Sequence, residues 1–338
     1  MGDGLKHPRV AVVGSGYWGA NHVRNYYELG ALAAVCDTDQ TLLDQIHGRY
    51  PEVRTELDYT KVLEDKSIDG VVIATPAETH FRLASLAIEA GKDVLVEKPL
   101  TLRVEEGERL VEMAGRKKSI LMVGHLLEYH PAVLRLVEMV RSGALGDLRY
   151  MYSTRLNLGK VRREENILWS FAPHDICIIL RLVGANPVRV TATGGAYLQP
   201  KIADVTVTNL EFPAGVRGHI FVSWLHPYKE QRLVVIGSQR MAVFDDVRTD
   251  GKLVIYDQGV DFVDGQPVMR KSSGVIEPLD VGEPLRRQCL VFLDSIRSRT
   301  RPLTDGASGL QVLRVLNAAE ESLRLQGTPI ECPPGMPG

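Results

Sequence analysis

The sequence predicts a two-domain α/β protein, in which a doubly wound parallel sheet is followed by an α+β domain with an antiparallel sheet. Three observations predict this fold. The chain has 338 residues, more than one domain usually contains. Strand-like and helix-like segments alternate from residue 9 to residue 123. After residue 187, strands with alternating apolar and polar residues dominate. We therefore expect domains at 1–126 and 127–338.

The first domain is predicted from short apolar strands separated by helices. Strands are expected at 9–13, 32–36, 71–75, 93–96 and 120–123, with helices at 20–28, 41–50, 80–90 and 104–116. The strands are continuous runs of Val, Ile, Ala and Leu, which is typical of strands covered on both faces. Regular alternation of strand and helix predicts a parallel, doubly wound sheet.

The second domain has a different pattern. A helix, a strand, a polar basic stretch and a second helix are expected at 131–141, 148–155, 157–166 and 176–182, followed by strands at 188–193, 205–212, 217–224, 232–237 and 241–245. Helices at 284–297 and 307–325 follow them. The period-two alternation in the strands predicts an antiparallel sheet with one packed and one exposed face.

Composition excludes several classes of function. The formal net charge is −2, so the chain has no basic field for nucleic acid or an anionic membrane. The longest apolar runs, 71–74 and 176–180, are too short to span a bilayer, and residues 1–9 lack the apolar stretch of a secretion signal. We expect a cytoplasmic protein with neither a nucleic-acid nor a membrane partner.

Cysteine usage indicates neither a metal centre nor a disulfide framework. The four cysteines are widely scattered and form no CxxC pair or Cys/His cluster. They are Cys36, Cys177, Cys289 and Cys332. We expect reduced thiols and no metal.

A glycine-rich segment follows the first predicted strand. Gly14, Gly16 and Gly19 form a G-x-G-x-x-G pattern, with Tyr17 and Trp18 inside it. The first glycine permits a tight turn, the second lets the backbone approach a pyrophosphate, and the third lets helix and strand pack closely. The N-terminus of the following helix offers free N–H groups to the phosphates. This context predicts a Rossmann dinucleotide site that includes all five residues.

Asp37 indicates which dinucleotide binds. It ends the second strand, at the spacing expected for an acid that holds a ribose. A carboxylate accepts hydrogen bonds from the 2′- and 3′-hydroxyls and repels a 2′-phosphate, and residues 38–40 contain no Arg or Lys. NAD is therefore predicted over NADP. The alternative interpretation of Asp37 is a helix N-cap or turn residue.

Four features together resemble a known family, that of glucose-fructose oxidoreductase, inositol dehydrogenase and MocA (Gfo/Idh/MocA). They are the glycine motif, Ala74-Thr75-Pro76 with Thr79-His80, Glu97-Lys98-Pro99, and His174-Asp175 before an apolar helix. The resemblance covers nearly the whole chain. It implies a Rossmann domain followed by a domain on a large, open, mainly antiparallel sheet. That sheet often forms the subunit interface in relatives, so a homodimer or homotetramer is expected.

The resemblance also implies positions for the site residues. The residues expected to bind the cofactor near its nicotinamide half are Ala74, Thr75, Pro76, Thr79 and His80. Glu97 and Lys98 are expected beside the nicotinamide and the reacting sugar hydroxyl. Pro99 in this motif often follows a cis peptide bond in relatives.

Oxidation of a secondary alcohol needs a proton acceptor as well as a hydride acceptor. A histidine is suited to proton transfer near neutral pH, and a lysine can stabilise negative charge on the reacting oxygen. By resemblance, His174 is the acid/base and Lys98 its partner. Many relatives carry Asp four residues before this histidine, where this chain has Ser170. Either Asp175 or another acid replaces it, or His174 acts with Lys98 alone, or Lys98 dominates.

The basic segment before His174 indicates an anionic substrate. It contains Arg155, Asn157, Lys160, Arg162 and Arg163, and arginines hold phosphates bidentately. This segment, and the one from Gly124 to Pro131 that contains Tyr129, resemble those of relatives that oxidise the 3-hydroxyl of UDP-N-acetylhexosamines or their uronic acids. We therefore expect a nucleotide-sugar substrate from surface-polysaccharide biosynthesis. The predicted contacts are Lys98, Tyr129, Arg155, Asn157, Arg163, His174 and Asp175.

Other functions stay open at this point. A keto-sugar reductase of deoxysugar biosynthesis and a polyol dehydrogenase of the inositol type would use the same residues. A dinucleotide-dependent glycosidase would also begin with oxidation at a sugar carbon. A non-catalytic NAD sensor is a different class, but Lys98 and His174 are both present, which favours an enzyme.

Overall fold

The computed structural model describes residues 8–159 and 161–332. Its α-helices are α1 (Gly19–Glu28), α2 (Gln40–Arg49), α3 (Tyr59–Glu64), α4 (His80–Glu89), α5 (Val104–Lys117), α6 (Pro131–Arg141), α7 (Ile167–Val183), α8 (Pro284–Ser298) and α9 (Gly306–Arg324). The strands are β1 (Val10–Val13), β2 (Leu32–Cys36), β3 (Arg54–Glu56), β4 (Gly70–Ile73), β5 (Asp93–Val96), β6 (Leu121–Val123), β7 (Leu148–Leu156), β8 (Arg189–Gly195), β9 (Val205–Glu211), β10 (Arg217–Ser223), β11 (Glu230–Gly237), β12 (Met241–Asp245), β13 (Leu253–Tyr256), β14 (Gly259–Val263), β15 (Gln266–Arg270), β16 (Val275–Ile276) and β17 (Ile330–Glu331). Among the described residues, no helix combines the length and apolar character needed to cross a membrane.

The chain divides into two compact units. Unit 1 contains residues 1–129 and 283–313, and unit 2 contains residues 130–282 and 314–338. The predicted break near residue 126 lies close to the first of these boundaries. The predicted continuous second domain, 127–338, differs from the structure because the chain returns to unit 1 through α8.

Packing of α8 explains that return. Leu285, Cys289 and Phe292 lie on one face of the helix, are almost fully buried, and join the core cluster of the parallel sheet. The same cluster contains Val12 of β1 and Leu95 of β5, both fully buried. Burying a large apolar side chain stabilises the fold by about 1.5–3 kcal/mol, so this apolar face fixes α8 to unit 1.

Unit 1 is a six-stranded parallel sheet in the order β3-β2-β1-β4-β5-β6. Strand order reverses between β1 and β4, which is the point where ligands bind at the carboxyl ends of strands in such sheets. The predicted Rossmann fold is confirmed. β3 and α3 were not predicted, because β3 has only three residues, Arg-Thr-Glu, and carries no apolar run.

Unit 2 is built on a nine-stranded sheet in the order β16-β13-β12-β11-β7-β10-β9-β8-β17. Its pairs are antiparallel except β7 with β10, which is parallel. The mainly antiparallel α+β architecture predicted for the second half is thus confirmed. β14 and β15 form a separate hairpin that the sequence analysis did not predict.

The two faces of the nine-stranded sheet differ, as the alternation predicts. Met151 and Ser153 of β7 are buried on the face covered by α7, which packs on β7, β9 and β10. Tyr150 and Tyr152 alternate with them and are half-buried on the other face. Their rings cluster with that of His219 at centroid distances of 5.2–5.9 Å, and the rings of Tyr152 and His219 are stacked. The covered face forms the core of unit 2.

Helix α7 is longer than predicted. The expected helix, 176–182, is extended at its start to Ile167, and Asn166 caps it by accepting a hydrogen bond from the backbone N–H of Trp169. Pro173 lies inside the helix, where it donates no backbone hydrogen bond, and this residue concealed the first turns in the sequence. Consequently His174 lies within α7 rather than before it.

Candidate active site

The glycine-rich turn connects β1 to α1 at the carboxyl end of the sheet. Gly14 has φ +88°, and a Cβ placed on it would lie 2.6 Å from the carbonyl oxygen of Ala74. A Cβ on Gly19 would lie 1.9 Å from the carbonyl oxygen of Gly14. Gly16 has nothing within 4 Å of such a Cβ, so its backbone borders open space. The turn therefore has the tight packing and the exposed backbone that a pyrophosphate requires.

Asp37 lies beside this turn, at the end of β2. Its Oδ2 accepts hydrogen bonds from the backbone N–H and the hydroxyl of Ser15, at 2.6 and 2.9 Å, and its Oδ1 accepts from the backbone N–H of Asp39 at 3.1 Å. Asp39, rather than Asp37, caps α2. Ser15 uses both lone pairs of Oδ2, whereas Oδ1 keeps acceptor capacity for a ribose hydroxyl, so the site fits NAD.

The segment after β4 forms a second loop at the same edge. The Thr75 and Thr79 hydroxyls are 2.6 Å apart, and Thr79 also donates to the Pro76 carbonyl oxygen at 2.7 Å. Ala74, Thr75 and Thr79 are half-buried and Pro76 is exposed. The loop borders the glycine-rich turn through Ala74, and the place of its four residues near the cofactor stays a prediction.

His80 has a different position from the predicted one. It is 1% exposed, and its ring nitrogens lie 2.7 Å from the carbonyl oxygen of Pro99 and 2.9 Å from that of Thr75. Burial lowers the pKa of His80, and the two carbonyls oppose that shift. The imidazole joins the loop after β4 to the loop after β5, so it supports the cofactor site from behind instead of lining it.

The Glu97-Lys98-Pro99 segment directly follows β5. The Lys98–Pro99 peptide bond is cis, which confirms the expectation from the motif. Lys98 is half-buried and Glu97 is 8% exposed. The Glu97 Oε1 atom accepts hydrogen bonds from the indole N–H of Trp18 at 2.6 Å and from His22 Nε2 at 2.7 Å. Glu97 therefore points into unit 1, whereas the motif resemblance predicted it beside the nicotinamide.

The same contacts change the interpretation of Trp18. It was predicted to bind the cofactor, but its indole N–H is engaged by Glu97. Tyr17, the preceding residue, is 91% exposed on the turn, where its predicted role stays a prediction. His22 was missed altogether. A histidine three residues after Gly19, on the inner face of a helix that begins a dinucleotide site, was the available signal.

Tyr129 was predicted to contact the substrate, and the structure contradicts this. It is 2% exposed, and its hydroxyl lies 3.0 Å from the Thr304 hydroxyl in the interior of unit 1. Thr304 in turn donates to the carbonyl oxygen of Val123 at 2.8 Å. Tyr129 thus ties the end of β6 to the returning chain.

In unit 2, the candidate catalytic residue His174 is half-buried on α7, and the buried Ser170 lies one turn before it. Residues four apart on a helix share a face. Asp175 is 3% exposed and is bound bidentately by Arg155, with Nε to Oδ2 at 2.9 Å and Nη2 to Oδ1 at 3.2 Å. Arg155 is itself 7% exposed.

This ion pair corrects two predicted substrate contacts. Arg155 projects from β7 to the covered face of the sheet and is taken by Asp175. Burial alone would lower the pKa of Arg155, but the charge and hydrogen bonds of Asp175 raise it. Since both groups are buried and paired, they hold α7 against β7 instead of meeting a phosphate.

The remaining basic segment lies at the surface of unit 2. Arg163 is exposed, whereas Arg162 lies within 4 Å of Glu164 and Glu165. Asn157 is half-buried, and its backbone N–H donates to the Ser223 carbonyl oxygen at 3.1 Å. Lys160 lies outside the described residues. For Arg163 and Asn157, contact with the substrate stays a prediction.

Within residues 8–159 and 161–332, the side chains form no group of three His, Cys, Asp or Glu that could hold a metal ion. Among the described residues, no disulfide links Cys36, Cys177, Cys289 or Cys332.

A six-stranded parallel sheet with this glycine turn, and with an acid at the end of its second strand, defines a dinucleotide-binding protein. Comparison with known families gives the particular group. The model of the oxidoreductase family with an NAD-binding Rossmann fold matches residues 8–125, and the GFO/IDH/MocA C-terminal domain matches residues 133–243. The chain belongs to the Gfo/Idh/MocA family and is an NAD-dependent oxidoreductase.

Individual relatives agree with this. The chain is 29% identical over 313 residues to UDP-N-acetylglucosamine 3-dehydrogenase of Acidithiobacillus ferrooxidans. The matched region covers 91% of this chain and 94% of that protein. The chain is 29% identical over 273 residues to scyllo-inositol 2-dehydrogenase (NAD(+)) of Bacillus subtilis, with 75% and 78% covered. The solved structure of UDP-N-acetylglucosamine 3-dehydrogenase GnnA from Acidithiobacillus ferrooxidans has a TM-score of 0.84 at 28% identity, over 95% of this chain and 99% of that one.

Proposed function

We propose that this protein oxidises the 3-hydroxyl of a UDP-N-acetyl sugar, or of its uronic acid, with NAD as the hydride acceptor. The observation that carries the proposal is the end-to-end similarity to a UDP-N-acetylglucosamine 3-dehydrogenase, which includes both units. The exposed Arg163 in the basic segment of unit 2 supports an anionic substrate, because a guanidinium pairs well with a diphosphate.

NAD, when bound, supplies the hydride acceptor for the alcohol carbon. The chain must then position the alcohol and remove its proton. We assign Lys98 to donate a hydrogen bond to the reacting oxygen and to stabilise negative charge there. We assign His174 to accept the proton, since an imidazole titrates near neutral pH. Asp175 is engaged by Arg155, so it serves His174 by fixing α7.

The second candidate is a polyol dehydrogenase of the inositol type. A specific observation favours it: an inositol dehydrogenase is as similar in percentage identity as the nucleotide-sugar enzyme, although over less of the chain. The same Lys98 and His174 would serve that reaction. The two candidates differ in whether the substrate carries a diphosphate, and this difference defines the test.

The test follows the reduced-nicotinamide absorbance while UDP-N-acetyl sugars, their uronic acids, free hexoses and inositols are added in turn. We expect a signal with one UDP-N-acetyl sugar and a product two hydrogens lighter by mass spectrometry. Arg163→Ala should raise KM for the nucleotide sugar by about tenfold, the effect of one charge-assisted contact. Arg248→Ala, an exposed arginine of the same unit, is the control. A response to inositol alone would replace this proposal with the polyol candidate.

We also infer a homodimer or homotetramer formed through the half-buried face of the nine-stranded sheet, and a cytoplasmic role in surface-polysaccharide biosynthesis. Tyr150, Tyr152 and His219 lie together on that face, and stacked aromatic groups are typical of subunit interfaces. Light scattering after Tyr152→Glu checks the inference: the mass should fall to that of a smaller species. An unchanged mass would contradict it.

A further inference from the structure

Glu97 lies at the centre of a buried cluster in unit 1, which also contains Trp18, His22 and Cys289. We call this the Glu97 cluster. His22 is fully buried, and its two ring nitrogens face different partners: Nε2 is 2.7 Å from Glu97 Oε1, and Nδ1 is 4.0 Å from Cys289 Sγ. The cluster joins the glycine-rich turn, α1, α8 and the loop after β5.

We propose that Trp18 and His22 are positioning residues: by holding the Glu97 carboxylate, they fix Lys98 relative to the glycine-rich turn that binds the cofactor. The proposal rests on the proposed function in one respect, the assignment of Lys98 to the reacting oxygen. It adds a role for three residues that touch neither that oxygen nor the sugar.

The geometry around Glu97 supports this role. Its Oε1 takes both N–H donors, while its Oε2 accepts the backbone N–H of Lys98 at 3.2 Å. A Cβ on Gly124 would lie 2.7 Å from Oε2, so the carboxylate is enclosed from the side of β6 as well. The backbone N–H of Glu97 is bound by the Ile73 carbonyl oxygen at 2.9 Å. Hydrogen bonds thus hold both the side chain and the backbone of Glu97, and Lys98 is the next residue.

The link to the cofactor turn comes through Trp18. This residue immediately precedes α1 and lies between Gly16 and Gly19 in the glycine motif. Its indole donates to the same oxygen that His22 binds, and the two rings meet edge to face at 6.5 Å. Because one carboxylate binds both Trp18 of the turn and the backbone of Lys98, it fixes the position of the Lys98 loop relative to the turn.

Charge strengthens the cluster. Burial alone would lower the pKa of His22, but its hydrogen bonds with Cys289 and Glu97 raise the pKa to about 9. Burial would raise the pKa of Glu97, but His22 and Trp18 lower it below its usual range. The titratable groups that face this pair are Cys289 on α8, Tyr26 on α1, Tyr129 after β6, His80 on α4 and Lys98 itself. At neutral pH, His22 is therefore an imidazolium that faces a carboxylate.

The first measurement needs no turnover. The ring protons of His22 in the intact protein are followed by NMR as the pH rises. We expect a midpoint near 9 in the natural protein and a clearly lower midpoint in Glu97→Gln, which keeps the shape and removes the charge. A wild-type midpoint at or below the ordinary value for histidine would overturn the charged pair and with it the proposal.

The second measurement tests Lys98 directly. An amine-acylating reagent is added in a short pulse, and labelling of Lys98 is compared by peptide mass spectrometry with that of exposed Lys66. We expect His22→Gln and Glu97→Gln to raise the Lys98/Lys66 labelling ratio severalfold. His47→Gln, a change at an exposed histidine of α2, should leave the ratio unchanged. Equal ratios in all four proteins would overturn the proposal.

Kinetics complete the test. In His22→Gln and Glu97→Gln, kcat should fall at least about tenfold, because small misplacements of a catalytic group are costly. The Kd for NAD by calorimetry should change less than about threefold, because Gly16 and Asp37 are untouched. If the natural protein oxidises no sugar, the proposed function fails, while the titration and the labelling still decide the role of the cluster.

Discussion

Each unit buries one carboxylate with a cationic partner next to a residue assigned to the chemistry. In unit 1, Glu97 precedes Lys98 and meets His22 at 2.7 Å. In unit 2, Asp175 follows His174 and meets Arg155 at 2.9 Å. Both pairs join distant parts of the sequence within their unit. They differ in the cation: an imidazole loses its proton in the range that solutions reach, and a guanidinium does not.

The two ion pairs therefore respond differently to pH. Arg155 binds Asp175 bidentately, which fixes distance and direction at any pH near neutral. His22 holds Glu97 by a single nitrogen, and the bond weakens once the proton is lost. The support for His174 is therefore permanent, whereas the support for Lys98 depends on pH.

The largest expected effect comes from breaking the permanent pair. Asp175→Asn should lower the free energy of unfolding by about 3–5 kcal/mol, since it leaves the buried Arg155 charge uncompensated. Urea denaturation gives this value. The exposed pair Arg324–Glu321 offers the control, and Glu321→Gln should change the free energy of unfolding far less, because water screens an exposed ion pair.

A double variant separates charge from packing. Arg155→Met with Asp175→Leu should be less destabilised than Asp175→Asn alone, because no unpaired charge remains in the interior. If the double variant were less stable than Asp175→Asn, the shape of the pair, and not its charge compensation, would be what stabilises the fold.

The next effect concerns the titratable pair. The pKa of His22 is raised from 6.5 to about 9 in the folded protein, so His22 binds its proton more tightly folded than unfolded. Its stabilising contribution is complete below pH 6.5 and is lost as the pH rises through about 9. The shift corresponds to about 3 kcal/mol. Unfolding free energies at the two ends of this window should show the loss.

Two variants show whether His22 causes this loss of stability. His22→Gln should flatten this fall in stability across the window, whereas His47→Gln should retain it. An unchanged slope in His22→Gln would mean that other groups carry the pH dependence. Arg155 contributes no slope in this window, because Asp175 raises the already high pKa of its guanidinium.

The smallest effect concerns a third carboxylate, Asp37, whose oxygens meet N–H and O–H donors rather than a cation. Asp37→Ala should weaken NAD binding by about tenfold, the value of one or two hydrogen bonds, and narrow its preference over NADP. Calorimetry with both dinucleotides measures this. Asp39→Ala, which removes the N-cap of α2, is the control and should leave the ratio of the NAD and NADP affinities unchanged. An unchanged ratio in Asp37→Ala would contradict the assignment of Asp37 to the ribose.

Sequence reasoning succeeded where a residue type encodes local backbone geometry. Gly14 and Gly19 are required by contacts that leave no room for a Cβ, and Asp37 directly follows β2 beside the glycine-rich turn, as its spacing predicts. Motifs of this kind can be recognised in the sequence because the spacing of their residues determines the local backbone structure. The parallel first sheet followed from the alternation of strands and helices, and the mainly antiparallel second sheet from the period-two pattern of its strands.

It failed where orientation depends on distant partners. Glu97 was found by its motif, but its direction is set by Trp18 and His22, which lie 79 and 75 residues away in the sequence. The return of α8 to unit 1 is likewise a matter of packing that no local pattern states. Arg155 was the avoidable error, because it shares the period-two face of β7 with buried Met151 and Ser153.

The assignment of Lys98 to the reacting oxygen is tested most directly by the activity of Lys98→Met with the nucleotide sugar that the natural protein oxidises. Lys98 should be needed for turnover and not for cofactor binding. We predict a fall in kcat of at least about 100-fold, the usual contribution of a group at a reacting oxygen, with the Kd for NAD changed less than about threefold. A variant that turns over at nearly the natural rate would contradict the assignment of Lys98 to the reacting oxygen.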